Sequence, residues 1–335
     1  MKKTVRIFWR LFFVGLGCFV LLILMANFGV FGKMPSLTEL ENPSMLQSSE
    51  VYAEDGTLMG KYYRENGNRS VVKYNDISRY VIEGLIATED KRFYAHPGID
   101  LKGTMRALFT LGSQGGGSTI TQQLAKALLD QGSKNKAFRV IEKLKEWIIA
   151  VKLERNFTKE EIITLYLNTV PYSDNVFGIR NASRTFFQKE PDRLNVEESA
   201  LLVGMINGPG LYNPRRNPKA ALDRRNVVLS RMEENNKISS AEYAKLKVQP
   251  IQLNYRKMDE NNGYAPYFRE ILRDEVKDVL KGFKKSNGDS WDIYKDGLKI
   301  YTTINPRMQE YAEEAVAAHV PTLQKALLAQ YMLKS

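Results

Sequence analysis

The sequence predicts a mainly α-helical protein with an N-terminal membrane-spanning helix, a small β element and the beginning of a further α+β region. Three observations carry this. Apolar residues recur at helical spacing, bounded by capping and stop signals, through most of 76–249. An almost unbroken apolar run, Leu11 to Phe31, follows a basic head. Strand signals are confined to short stretches around Asp55-Gly56 and from Gly297 to Ile304. The implied division is 1–33 for a cytoplasmic tail and anchor, 34–75 for a linker with a short β element, 76–249 for a helical domain, and 250–335 for a linker and the opening of the further region.

The head holds Lys2, Lys3, Arg6 and Arg10. The run behind it has about the 20 residues that a spanning helix needs. Its basic flank predicts a cytoplasmic N-terminus and an external remainder. A cleaved signal peptide would have a shorter apolar core, and no small-x-small cleavage site follows Phe31. Cys18 lies deep in the run, with Gly15 where a lipoprotein signal has a large aliphatic residue. The segment therefore reads as an uncleaved anchor. The single cysteine excludes an intramolecular disulfide, and the two histidines, His96 and His319, stand apart, which excludes a zinc cluster. A net charge of +11 favours an anionic partner; nucleic acid, anionic lipid and a pyrophosphate-bearing substrate all qualify.

From 34 to 75, Pro35, Pro43 and several serines make a linker. Val51-Tyr52-Ala53 and Leu58-Met59 flank Asp55-Gly56, a hairpin signal, and Val71-Val72 is a further strand candidate. Ser70-Val71-Val72-Lys73 matches the Ser-x-x-Lys of penicillin-binding transpeptidases, as does Ser133 with Lys136. Neither has a Lys-Thr-Gly partner in the chain, and both read as chance.

Val81, Ile82, Leu85 and Ile86 predict a helix carrying Glu89 at its C-terminal end. His96-Pro97-Gly98 is a turn signal, and Asp100 can cap a helix through Leu101, Met105 and Leu108. Gly115-Gly116-Gly117 then leads into Ser118-Thr119-Ile120-Thr121-Gln122-Gln123. This reads as a loop opening a helix with free N–H groups, which suits an anion. The bland reading is a flexible linker and an ordinary cap. Gly112 and Gly117-Ser118-Thr119 nearly form a Walker loop, but Ser118 stands where its lysine belongs, so an ATPase is excluded.

Gly132 to Lys136 is a basic loop. The next helix has a stripe of Val140, Leu144, Ile148 and Val151, with Arg139, Lys143 and Glu146 on a neighbouring face. On its own, that face reads as solvated and ion-paired. Thr158-Lys159-Glu160-Glu161 caps another helix through Leu167. Glu198 to Ile206 is an apolar helix stopped by Asn207-Gly208-Pro209-Gly210, and Lys237 to Lys247 is one more. Polar linker from Pro250 precedes an amphipathic helix, Tyr264 to Leu280, a charged break, a strand from Gly297 to Ile304, and a helix opened by Pro306.

Glu89-Asp90, Phe93, His96 and Gly98, followed by Gly117 to Gln123, resemble the first two motifs of the glycosyltransferase domain of class A penicillin-binding proteins. Lys143-x-x-Glu146 is similar to the third motif, Lys159-x-x-Ile162-x-x-x-Tyr166-Leu167-Asn168 to the fourth, and Leu211-Tyr212-Asn213-Pro214 with Pro218, Ala221, Arg224 and Arg225 to the fifth. The resemblance covers roughly 76–232. The departures are Glu142 where the family often has Arg, Val170-Pro171-Tyr172 where it has Tyr-Leu-Gly, and Arg180 and Gln188 where it often has Glu and Gly. Arg139 can replace the missing cation from one turn earlier. Arg224, Arg225 and the rest of the fifth motif are given structural roles. Residues 297–306 resemble the lead-in to the family's transpeptidase domain, whose serine-bearing part is missing from this sequence.

The resemblance implies a lysozyme-like helical glycosyltransferase fold that polymerises lipid II on the outer face of the cytoplasmic membrane. Glu89 would be the general base and Glu146 would act near the leaving group. Asp90, Phe93, His96, Ser118, Thr119, Gln123, Lys126, Arg139 and Lys143 would bind substrate. Inversion at a sugar centre needs paired acidic groups, a base matched to neutral pH and cations on the departing pyrophosphate. Asp90 and partial burial are expected to tune Glu89. No cofactor is required; a divalent cation could assist the pyrophosphate, although no dedicated metal motif is present. The implied partners are lipid II, the growing glycan strand, the inner membrane and other cell-wall synthesis proteins, with no nucleic acid. Two alternatives remain at this point. A lysozyme-like hydrolase shares the paired carboxylates, and a catalytically silent cell-wall scaffold would not need them.

Overall fold

The structure is a computed structural model that describes residues 2–32, 34, 35, 40, 47–64, 68–109, 117–129, 136–257, 263–286 and 288–332. It is mainly helical with one small sheet, and it divides into two compact units. The first comprises 1–45, 71–183 and 189–252; the second comprises 46–70, 184–188 and 253–335. This division differs from the one the sequence suggests, because the hairpin assigned to a linker groups with the C-terminal residues.

The first unit begins with α1 (Lys2–Asn27). Among the described residues, Lys3–Ala26 is the stretch long and apolar enough to cross a membrane. The helix starts earlier than Leu11 and stops before Phe31, because Gly29 and Gly32 take positive φ values of 78° and 110°. A three-helix core follows from α2 (Arg79–Glu89), α8 (Val196–Ile206) and α9 (Pro218–Glu234). It buries Val81 and Leu85 with Leu202, Met205, Val228 and Leu229. The second group is α4 (Ile120–Leu129), α5 (Lys136–Asn156) and α6 (Lys159–Thr169). The short α3 (Leu101–Phe109), α7 (Ile179–Phe187) and α10 (Ser240–Leu246) complete the helices of this part of the chain.

Several boundaries follow from local chemistry. Thr158 and Glu161 form the expected reciprocal cap on α6. Asp100 accepts the Gly103 N–H at 3.0 Å and so caps α3. Ser239 and Glu242 open α10 three residues later than the apolar pattern suggests. Two expectations fail. Val71 and Val72 form no strand; the Val72 N–H and C=O each pair at 3.0 Å with the Asn168 carboxamide, which stands in for a neighbouring strand. The buried side of α5 is Leu144, Ile149, Ala150 and Leu153, while Val140 is 61% exposed. That helix is covered by α1, α4 and α6, so a single stripe does not describe it. The near-Walker glycines at 112–116 and residues 132–135 of the basic loop with Ser133 lie outside the described residues.

In the second unit, β1 (Ser49–Tyr52) pairs antiparallel with β2 (Leu58–Tyr62) and parallel with β3 (Lys299–Tyr301), giving the order β2-β1-β3. Gly56 turns the hairpin with φ 82°. The core is Val51, Ala53, Met59, Tyr62, Ala265 and Ile293, with Leu272 and Val276 of α11 (Pro266–Leu280) against it. A charged cluster is also buried here. Glu50 is 4% and Lys61 3% exposed, with 3.2 Å between carboxylate and ammonium. Arg184 reaches the same carboxylate at 2.9 Å and Ser70 Oγ donates to it at 2.5 Å. Ser70 is thus committed to structure, in keeping with the chance reading of its Ser-x-x-Lys match. The last helix, α12 (Pro306–Met332), is exposed along its length.

Candidate active site

Helix α2 ends at Glu89, and the chain leaves it at Asp90 with φ −156°. Consecutive acids therefore face different surroundings. Glu89 lines a cleft of 1550 Å³ together with Ser118, Gln123, Lys126, Arg139, Lys143, Glu146, Tyr166 and Arg224. Gln123 Nε2 donates to Glu89 Oε2 at 2.9 Å, and an Arg224 guanidinium nitrogen lies 3.6 Å from Oε1. The Glu89 side chain is 11% exposed, so it sits at the cleft wall with an oxygen still reachable.

Asp90 goes the other way. It is buried and accepts His96 Nε2 at 3.0 Å on both oxygens and the Ile120 N–H at 3.1 Å. The Gly98 N–H donates to His96 Nδ1 at 3.2 Å, which puts the ring proton on Nε2. Thr119 Oγ1 donates to the Gly98 carbonyl at 2.6 Å and accepts the Gln122 N–H at 3.1 Å. The N–H groups of Ile120 and Gln122 at the start of α4 are therefore already taken by protein groups, and the expected anion cradle is filled by Asp90 and Thr119. Gly98 has φ 89°, and a Cβ there would lie 2.9 Å from the Ala150 carbonyl oxygen, so this turn requires glycine. Phe93 is fully buried under the Lys159 ammonium, 4.3 Å from its ring centre. Asp90, Phe93, His96 and Thr119 thus hold the loop between α2 and α4, and of these four Asp90 and Thr119 also line the cleft.

On α5, Lys143 Nζ bonds Glu146 Oε2 at 2.6 Å and Ser118 Oγ at 3.0 Å. The Glu146 side chain is 10% exposed. Lys126 and Arg139 are exposed on the cleft lining and form no ion pair among the described residues. Arg139 is one turn before Lys143, so both cations border the same space. At the cleft's outer edge, Arg92 pairs with Asp100. Burial raises the Asp100 carboxyl, but the Arg92 hydrogen bond and the Gly103 N–H outweigh it and hold that group below its ordinary value. Among the described residues no three of His, Cys, Asp and Glu are grouped to hold a metal ion.

Sequence reasoning named Arg224 and Tyr166 as motif residues, Arg224 with a structural role, and missed their places beside Glu89 and Gln123. Arg224 lies on α9, far along the chain from Glu89, and only the packing of α9 on α2 brings them together. Its Nε is buried without a hydrogen-bond partner, and its guanidinium lies 5.6 Å from the Tyr212 ring centre. Arg225 has the structural place expected of it: it is buried and donates to the carbonyls of Leu246, the last residue of α10, and Gln249 beyond it.

A family model described as transglycosylase matches residues 55–233. Penicillin-binding protein 1A of Escherichia coli (strain K12) is 33% identical over 292 residues, 86% of this chain and 32% of that protein. Penicillin-binding protein 1A/1B of Bacillus subtilis (strain 168) is 36% identical over 296 residues, 84% of this chain and 30% of that protein. A crystal structure of penicillin-binding protein 1A from Haemophilus influenzae aligns over 81% of this chain and 29% of that one, at 25% identity and a TM-score of 0.40. The chain spans about a third of the length of the curated relatives it matches. Since the family model covers more than half of its residues, the chain belongs to the transglycosylase family.

Proposed function

We propose that this chain is a membrane-anchored peptidoglycan glycosyltransferase that polymerises lipid II into β-1,4-linked glycan strands with inversion, releasing undecaprenyl pyrophosphate. The observation that carries the reading is the pairing of Glu89 and Glu146 in one cleft with unequal partners. Glu146 is neutralised by a lysine at 2.6 Å, whereas Glu89 is held by an uncharged amide and keeps its second oxygen 3.6 Å from the nearest cation. On that geometry we assign the acceptor's proton to Glu89. In the step, the acceptor hydroxyl oxygen attacks the anomeric carbon of the donor, its proton passes to Glu89, and the bond from that carbon to the pyrophosphate oxygen breaks. Lys143, Lys126, Arg139 and the Ser118 hydroxyl meet the charge on the leaving pyrophosphate. The relatives' names point to cell-wall enzymes, and the lysozyme-like domain with a following transpeptidase region is the fold that goes with this reading. No cofactor enters the step. Incubation with purified lipid II and analysis of the products tests it: glycan strands support it, and cleavage of finished glycan without strand formation sinks it.

Lys143→Ala is expected to weaken binding of pyrophosphate-bearing substrate by on the order of 1.5–3 kcal/mol, the value of a charge-assisted hydrogen bond. Unchanged affinity and rate would reduce Lys143 to a partner for Glu146.

The apolar helix α1 fits an uncleaved anchor with its basic end in the cytoplasm and the cleft outside, at the leaflet where a polyprenyl-linked substrate presents its head. Lys145, two residues from Lys143, donates to the Phe31 carbonyl at 2.7 Å, so the segment leaving α1 is held against α5. Mass spectrometry of the mature protein is expected to find the N-terminal residues intact; a mature end after Phe31 would refute the anchor.

A further inference from the structure

We propose that Tyr166 is a positioning residue for Glu89, acting through the carboxamide of Gln123; the inference rests on the reading of Glu89 as general base. The Tyr166 hydroxyl donates to Gln123 Oε1 at 2.8 Å, and Gln123 Nε2 donates to Glu89 Oε2 at 2.9 Å. The polarity of this chain is fixed from the acid end. An ionised carboxylate only accepts, so Gln123 must turn its NH₂ toward Glu89, and its carbonyl oxygen must then find a donor on the other side. Tyr166 is that donor. If the carboxamide turned over, an oxygen would face the carboxylate and the hydrogen bond would become a repulsion.

Tyr166 is well placed for this task. It is 1% exposed on α6, between the buried Ile163 and Leu167, so its ring has little freedom. Burial, reinforced by the negative charge of Glu89, pushes its phenol well above the ordinary value, and the hydroxyl keeps its proton at any pH of interest. The second neighbour of Glu89, Arg224, stands at 3.6 Å, too far to fix the carboxylate's rotation by a hydrogen bond. The orientation of the base therefore depends on Gln123, and that of Gln123 on Tyr166. A base must meet the acceptor hydroxyl at hydrogen-bond distance, so a freely turning Glu89 would lose rate without losing substrate affinity.

Tyr166→Phe keeps the ring and removes only the hydroxyl. The expected result is a kcat for lipid II polymerisation lowered roughly three- to tenfold, the value of one net hydrogen bond, with KM and the thermal midpoint close to those of the parent protein. The Gln123 side-chain amide protons, followed by NMR, are expected to be slowly exchanging in the parent and averaged in the variant. An unchanged kcat, a rise in KM alone, a loss of rate that tracks loss of folded protein, or an unchanged Gln123 amide signal would each overturn the assignment. If the parent protein itself makes no glycan strands, the functional reading fails, and the amide signal alone decides whether Tyr166 holds Gln123.

Discussion

Glu89→Gln is expected to abolish strand formation from lipid II while the protein stays folded. The substitution keeps side-chain volume and leaves an oxygen able to accept from Gln123, so the wall of the cleft is preserved. What it removes is the ability to take the acceptor's proton. Loss of a positioned general base costs on the order of 10²–10⁴ in rate. The counter-charge 3.6 Å from Arg224 also goes, so the thermal melt separates any loss of stability from the loss of the base. The check is a time course of polymerisation with a thermal melt on the same sample. Turnover at the parent rate would remove Glu89 from the chemistry.

The largest effect on stability is expected from Glu50→Gln in the second unit. Burial raises the Glu50 carboxyl, but Lys61, Arg184 and the hydroxyls of Ser70 and Tyr52 outweigh it, and the group is held far below the ordinary carboxylate value. The Tyr52 phenol moves the opposite way, up to about 12, through burial and the Glu50 charge. Removing that charge leaves the buried Lys61 ammonium and the half-buried Arg184 guanidinium without the carboxylate they share, a loss of about 3–5 kcal/mol. The pH dependence has a definite sign. A depressed folded value means that the stabilisation is present above the unfolded value of 4.5 and is lost as pH falls below it. The gap between parent and variant should therefore be widest near neutral pH and narrow in acid. Hydrogen exchange of the β1 and β2 amides measures it locally, and equal protection of both proteins near neutral pH would show that the cluster contributes nothing.

The parts of the fold that were legible in the sequence are those set by contacts a few residues long. The end of α2 at Glu89, the Asp100 cap, the Thr158 box and the Asp55-Gly56 hairpin all rest on near neighbours. The parts that were not legible depend on partners far along the chain. Val72 pairs with a side chain on α6 rather than with a strand. The buried side of α5 is set by three neighbouring helices. The same division runs through the site. Lys143 and Glu146 share a helix face and could be read together, as could the motif residues around Glu89. Arg224 carries no local sign of its place beside Glu89. Asp90, His96 and Thr119 were legible as a constellation, but the hydrogen bonds by which they hold the loop were not, because motif spacing does not show which partner a side chain takes.

The parallel pairing of β1 with β3 has a consequence for the order in which the chain acquires structure as it is made. Glu50 lies opposite Lys299, so the second neighbour of β1 emerges about 250 residues after β1 itself. At about 5–20 residues per second this is a wait of roughly 10–50 seconds. Throughout it, the edge of β1 that β3 will cover stays open, and a hairpin alone is marginal in water. The residues of the first unit, which end at 252, have all emerged while the hairpin is still waiting. Glu50 on β1 and Lys61 on β2 put charge on the hairpin during that interval. The groups that later form the buried cluster thus begin as a barrier to wrong pairing, since a foreign strand laid on the hairpin would have to bury the same charges.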